Sequence, residues 1–391
     1  MATVVLGEAR ILQGWLVRCN STQHNASVVR SEPDILCSSM GIRTALVSLL
    51  AIALFAWFLS SANLGDVWSQ VRQARTDMLV GAFVCVGLTF WIRALRWQYL
   101  LKPIGPTRFR TAFRTTIIGF AALSVLPARA GDILRPYLLA RQEGLSVPAT
   151  FATVVMERVL DFVAVLALLA VYVWGFSNAA SLPPRFRGPI EISAAIGSLV
   201  AVLLMGLMWI LATHPERIGA LVATAARVLP RRLGHRLGSL AHTFSTGFAA
   251  AREPRMLVIA VLWSFPLWLA LSTEAWLVTR AFGIEMPFTG SFLLQALLVI
   301  GVAVPTPGAV GSFHEAYRIG VTTFFGAPND AAVAAAIVTH ALSFFPVVVV
   351  GLIFMAQDGL SMRGLQDMTG SARDEELPDT DEMPVLRTSR R

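Results

Sequence analysis

Two hydrophobic stretches of this 391-residue chain are interrupted by proline, glycine and charge where a membrane-crossing helix would simply continue. The first runs Val125-Leu126-Pro127-Ala128-Arg129-Ala130-Gly131-Asp132-Ile133-Leu134-Arg135-Pro136, and the second Val304-Pro305-Thr306-Pro307-Gly308-Ala309-Val310-Gly311-Ser312-Phe313-His314-Glu315. Within hydrocarbon every backbone N–H and C=O needs a partner, so a broken helix is tolerated only where protein buries it or where it lines a polar cavity. Two such breaks in comparable parts of one chain point to a shared internal site, the arrangement used by carriers built on discontinuous helices.

Hydrophobic residues make up 55% of the chain and charged residues 14%, against roughly 25% charged in a soluble domain. Mean hydropathy is +0.64, and the chain reads as an all-α polytopic membrane protein. The net charge of +8 does not argue for nucleic acid, because Arg and Lys fall in short loops between apolar stretches, where they encode topology. Cys19, Cys37 and Cys85 have no ligand spacing, so no disulfide framework, metal or cofactor is expected.

Six stretches near the roughly 20 residues that a bilayer requires are predicted to span it. They are Thr44 to Ser61, Met78 to Trp97, Phe151 to Phe176, Ile190 to Thr213, Met256 to Phe282 and Asp330 to Ala356. Phe113 to Leu126 and Phe288 to Val304 are shorter and run into the breaks, which predicts two re-entrant hairpins. The membrane domain covers 40–357. Residues 1–39 are expected to be a disordered extension or the product of an upstream start site, and 358–391 a disordered acidic cytoplasmic tail. Residues 215–254 carry Arg217, Arg227, Arg231, Arg232, Arg236 and Arg252 among apolar residues at helical spacing, as a basic interfacial segment does.

Cytoplasmic loops are the Lys/Arg-rich ones, so placing 215–254 inside puts both termini inside a bacterial inner membrane. The two hairpins must then enter from opposite sides. Each half shows the same order of events: apolar run, Pro, Gly-containing break, charged helical piece, second Pro, long apolar helix with a polar group. Pro127, Gly131, Asp132, Arg135, Pro148 and Glu157-Arg158 fill that order first, and Pro305, Pro307, Gly308, Gly311, His314, Glu315, Arg318, Pro328 and His340 fill it again. Inverted repeats over about 78–176 and 256–356 are the expected consequence.

Ionised side chains inside a membrane cost about 2.5–3.5 kcal/mol each on insertion scales, so those present call for a partner or a function. Glu157, Arg158 and Asp161 share one helix face and are candidates either for an internal ion pair or for a phosphate site tuned by carboxylates. Arg129, Asp132 and Arg135 follow the first break, where Asp132 is expected to cap a helix whose N-terminus and guanidinium groups suit a phosphodiester. Arg93 and Arg96, beside Trp91 and Trp97, read mainly as a snorkelling interfacial belt. Glu274 is expected to pair across helices, with Arg158 or Arg318, or to carry a proton. His314-Glu315 lacks the second imidazole of a zinc motif because position 318 is Arg, and His340 reads as a hydrogen-bonded core histidine.

The stretch Leu126 to Arg141, followed by Ala152-Thr153-Val154-Val155-Met156-Glu157-Arg158-Val159-Leu160-Asp161, resembles the membrane domain of lysylphosphatidylglycerol synthases and their stand-alone UPF0104 relatives. Pro307 to Glu315 resembles the Pro-Gly-Gly-hydrophobic-Gly pattern of the same family, with Ala309 in place of the second glycine and His340 where an arginine is expected. The resemblance covers about Met40 to Gln357 and implies a flippase-like domain without the synthase's catalytic part.

Together these features predict a non-enzymatic lipid flippase or scramblase. It would move an anionic phospholipid or lipid-linked sugar through a polar midplane site where Asp132, Arg135, Glu157 and Arg158 meet Glu315, Arg318 and His340. The alternatives are a proton-coupled small-solute transporter and a non-catalytic membrane assembly partner. Nucleic acid is not an expected partner, and a homo-oligomer is compatible with the sequence.

Overall fold

The computed structural model describes residues 49, 52–60, 63–125, 130–175, 184–214, 216–217, 242–304 and 306–358. Residues 1–39, most of the basic segment 215–254, the tail beyond 358 and the break residues Pro127, Arg129 and Pro305 lie outside the described residues. What is described is helical, beginning with a helix over 52–60.

A short helix, α1 (Leu64–Gln73), replaces the plain connection that the sequence suggests between Ala62 and Asp77. The signal for it was present: Asn63 caps it by accepting from the Gly65 N–H at 3.0 Å, and Asp66 and Arg72 fall at the dipole ends that suit them.

After α1 the chain repeats one succession of helix lengths. A long helix, α2 (Thr76–Leu101), leads to two short ones, α3 (Phe109–Val125) and α4 (Gly131–Glu143), then to a long one, α5 (Val147–Ala170), which ends in a π turn at Val171–Gly175. Helix α6 (Pro184–Thr213) intervenes. The order then recurs as α7 (Pro254–Ala281), α8 (Gly290–Ala303), α9 (Ser312–Phe325) and α10 (Asn329–Gln357). Helices α7 and α10 run unbroken past Pro266 and Pro346.

Each short pair is an antiparallel helical hairpin zipped by glycine. A Cβ on Gly131 would lie 2.1 Å from the Gly119 carbonyl oxygen, and one on Gly119 would lie 2.7 Å from the Arg135 Cβ, so α3 and α4 are in backbone contact. In the second pair a Cβ on Gly301 would lie 2.8 Å from Ala316, and one on Gly320 2.8 Å from Leu294. Glycine permits these approaches because it has no Cβ.

Helix ends gather at two levels. At one, Arg114 of α3 reaches Gln357 at 3.0 Å and Asp358 at 2.6 Å, and Gln98 reaches the Thr107 carbonyl at 2.6 Å. At the other, the Arg75 N–H donates to the Ala281 carbonyl at 3.1 Å, the Asn63 N–H to Asp330 at 3.3 Å, and Arg318 to Asn329 at 3.1 Å. Hairpin α3–α4 therefore opens at the first end and α8–α9 at the second. Between the ends their tips meet, for a Cβ on Gly308 would lie 3.2 Å from the Ser124 carbonyl oxygen.

Large apolar side chains cover the outside of α2, α6, α7 and α10, among them Phe83, Leu88, Ile196, Leu203, Leu262, Phe345 and Ile353. A water-soluble chain would not expose such a belt. Thr76–Leu101, Arg185–Thr213, Arg255–Ala281 and Asn329–Gln357 are each long and apolar enough to cross a membrane.

Candidate functional site

Seven charged residues of the first half, Arg93, Arg96, Asp132, Arg135, Glu157, Arg158 and Asp161, form one largely buried ionic network between α2, α4, α5 and α7. Helix α5 supplies Glu157 and Asp161 one turn apart on a single face. Arg96 of α2, wholly buried, places Nη1 2.7 Å from Asp161 Oδ1 and 2.8 Å from Ser264 Oγ, and Nη2 3.4 Å from Glu157 Oε1. Arg93 reaches the other Asp161 oxygen at 3.3 Å, and Trp268 donates its indole N–H to Asp161 at 3.2 Å. Arg135 of α4 donates to Glu157 Oε2 at 2.7 Å. Arg158 bonds Asp132 at 2.5 Å and lies 3.9 Å from Asp161.

Burying ions is costly unless each is paired and its remaining hydrogen-bonding capacity is met. The carboxylates meet that condition. The arginines do not: among the described residues four guanidinium groups (Arg93, Arg96, Arg135 and Arg158) face three carboxylates (Asp132, Glu157 and Asp161), a formal excess of one positive charge. Arg135 is 3% exposed, yet among the described residues its Nε and Nη2 have no hydrogen-bond partner. Its guanidinium lies 3.7 Å over the Trp97 ring, whose N–H is occupied by Thr153 at 3.0 Å. The Arg158 and Asp132 side chains, 38% and 26% exposed, form the open edge of the network.

Phe120 of α3 joins this network to the hairpin tips. Its ring receives Arg93 at 4.9 Å and Arg158 at 6.0 Å. Ser124, which touches Gly308, follows one turn later, about 6 Å along the helix at 1.5 Å per residue.

The second half builds a different environment. At its tip Gly308, Ala309 and Gly311 all have positive φ, and a Cβ on Gly311 would lie 2.6 Å from Leu54 Cβ. His340 Nε2 is 2.7 Å from the Gly308 carbonyl oxygen, and since a carbonyl only accepts, the proton is on Nε2. His314 Nδ1 lies 3.3 Å from the Gly311 N–H, as an acceptor closing the start of α9. The two imidazoles are 4.5 Å apart, enclosed by Phe55, Phe58, Phe313 and Phe344. Glu274 accepts from Ser343 at 2.5 Å, and Glu315 pairs with Arg318 at 2.5 Å near the second end.

Several expectations change. Arg93 and Arg96 do not snorkel; Arg96 faces inward because α2 and α7 pack along their length and turn that side of α2 toward α5. Asp132 is not the cap of α4, whose N-cap is Ala130 without a side-chain bond; its carboxylate goes to Arg158 instead. Glu274 pairs with a hydroxyl rather than with Arg158 or Arg318. The single meeting of both halves' charges is replaced by separate clusters, with Glu315 and Arg318 held at the second end by Asn329, and His340 and Glu274 in aromatic and neutral polar surroundings. Among the described residues no group of three His, Cys, Asp or Glu is placed to hold a metal ion.

An apolar outer belt around a buried ionic core, with paired hairpins between spanning helices, defines an integral membrane protein. Residues 44–351 match the family model of the lysylphosphatidylglycerol synthase TM region, and the chain belongs to that family. It is 23% identical over 339 residues to a UPF0104 membrane protein of Methanothermobacter thermautotrophicus, covering 81% of this chain and 96% of that one. A second UPF0104 protein of the same organism is 25% identical over 327 residues, covering 79% and 91%. Glycosyltransferase AglD of Haloferax volcanii is 24% identical over 356 residues, covering 85% of this chain and 56% of AglD, so the chain spans about half the length of that relative.

Proposed function

We propose that the chain moves an anionic lipid head group between the leaflets of a bacterial inner membrane, with both termini in the cytoplasm and α3–α4 and α8–α9 acting as re-entrant hairpins of two inverted repeats. The observation that carries this reading is the excess positive charge of the network among the described residues, where the buried Nε and Nη2 of Arg135 lack an acceptor. A phosphodiester supplies the missing negative charge and the missing acceptors, and guanidinium groups bind it in a bidentate fashion.

The head group enters at the Arg158–Asp132 edge, replaces a carboxylate on Arg158 or Arg135, and lies one turn from the meeting of the tips. Carboxylates that compete for the same arginines keep the site from holding the lipid too tightly. The reading assigns no covalent chemistry to the chain. An anionic phospholipid and a lipid-linked sugar both carry the required phosphate, and both belong in the panel to be tested.

The test is a proteoliposome assay with leaflet-selective quenching of fluorescent anionic phospholipid, zwitterionic phospholipid and lipid-linked sugar. The expected result is crossing of at least one anionic lipid faster than in protein-free vesicles, abolished in Arg135→Gln. Rates equal to protein-free vesicles over the whole panel would overturn it.

A further inference from the structure

We propose that Glu274 is a proton-binding site that couples lipid movement to a pH difference across the membrane; the coupling rests on the transport reading above. Glu274 lies on α7 seven residues before its end at Ala281, about 10 Å from the second end of the molecule at 1.5 Å per residue. It is 2% exposed. Each carboxylate of the ionic network has a guanidinium partner, whereas Glu274 has the Ser343 hydroxyl and, among the described residues, no ion pair.

None of the described groups that face it is an arginine or a lysine. Tyr317 of α9 is engaged with Thr279 at 2.6 Å, and the Cys85 thiol approaches from α2. Ser343 comes from α10, and His340 of the same helix, one turn earlier, is turned to the Gly308 carbonyl. His314 of α9 is turned to the Gly311 N–H. With no cation to balance it, a buried carboxylate is neutralised by taking up a proton. Glu274 as the acid then loses that proton to water reaching it from the second end. This leaves a carboxylate that, among the described residues, retains the Ser343 hydroxyl as its one donor, and uptake from the same water reverses the step.

The structure also provides a path from this site to the lipid site. Ser343 is one turn from His340, His340 holds Gly308 at the second tip, Gly308 lies against Ser124 of the first tip, and Phe120 one turn back carries Arg93 and Arg158. A change in charge at Glu274 alters the α7–α10 contact that fixes the second tip, and the tips are the element that both sites bias.

The test uses the full-length protein in proteoliposomes with the membrane potential held at zero by potassium and valinomycin, and a fluorescent anionic phospholipid as probe. A pH difference of about one unit should shift the final leaflet ratio about tenfold in the wild type if one proton moves with each lipid. In Glu274→Gln the ratio should not move with pH, whatever its rate of equilibration. A wild-type ratio insensitive to the gradient, or a Glu274→Gln ratio that follows it, overturns the coupling. If the wild type moves no lipid at all, the transport reading has failed, and infrared pH-difference spectra of the purified protein test the proton site alone. A titrating carboxylic C=O band lost in Glu274→Gln supports the site, and a band unchanged in that variant overturns it.

Discussion

The guanidinium of Arg135 lies 3.7 Å over the indole of Trp97, while its Nη1 is 2.7 Å from Glu157. Ring and carboxylate hold the plane of the group and one of its edges, which leaves Nε and Nη2 fixed in position and without an acceptor. That fixed, unsatisfied edge is the reason Arg135 is proposed to bind the head group. Removing one partner of a buried pair is far more damaging than replacing both with apolar groups. Arg135→Ala should therefore lower unfolding stability by about 3–5 kcal/mol, measured in detergent. Arg135→Met combined with Glu157→Met should recover part of that loss, since Arg96 gives up its Glu157 contact but keeps Asp161 and Ser264, and should not recover lipid movement, so the two measurements separate folding from function.

The α3–α4 hairpin should be intolerant of the smallest side chain at its crossing. Gly131→Ala puts a Cβ 2.1 Å from the Gly119 carbonyl oxygen and 2.6 Å from the Leu123 nitrogen, both backbone atoms that cannot swing away. Overpacking of this kind costs about 1–3 kcal/mol. Gly144→Ala meets no atom within 4 Å but has a φ of +68°, so its cost is one of strain and not of packing. Thermal melts should show a lowered midpoint for both, and only Gly131→Ala should displace Arg135 and alter lipid movement.

These contacts explain how far the sequence could be read. The inward placement of Glu157 and Asp161 follows from charge set inside an apolar run, because hydrocarbon forbids it elsewhere. Which arginine meets which carboxylate does not follow, since it depends on how α2 lies against α5 and α7. Arg93 and Arg96 carry the same local signature as a belt at a helix end, and only the packing of α7 along α2 shows that the wall behind them is protein. Asp132 misled for a related reason: a carboxylate at a helix start is an ordinary cap until a guanidinium from another helix competes for it. Helix α1 was legible in its Asn63 cap and its spacing of Leu64, Val67, Trp68 and Val71.

Position 309 carries strain that a single substitution removes. Ala309 is the one non-glycine with positive φ among the described residues, at +56°, and left-handed backbone costs an L-residue roughly 1–2 kcal/mol. The greater freedom of glycine in the unfolded chain offsets roughly 0.5–1 kcal/mol of that. Ala309→Gly should stabilise the protein by about 0.5–1 kcal/mol, read as a higher melting midpoint; a lower midpoint would show that the tip is held in another conformation.

The bond from His340 to Gly308 makes the second tip a latch with a chemical requirement. Its carbonyl oxygen lies in a break, where no helix hydrogen bond replaces a lost donor, and a buried acceptor left bare costs about 1–3 kcal/mol. His340→Ala should cost that much and should loosen the tip, so that cysteines placed at Ser124 and Val310 cross-link more slowly than in the wild type. His340→Gln keeps a donor N–H on a side chain of similar reach and should recover part of both effects. His340→Phe fills the aromatic enclosure of Phe313 and Phe344 but donates nothing, so it separates the two roles of the imidazole. If packing alone holds the tip, Phe will cross-link like the wild type; if the hydrogen bond holds it, Phe will behave like Ala.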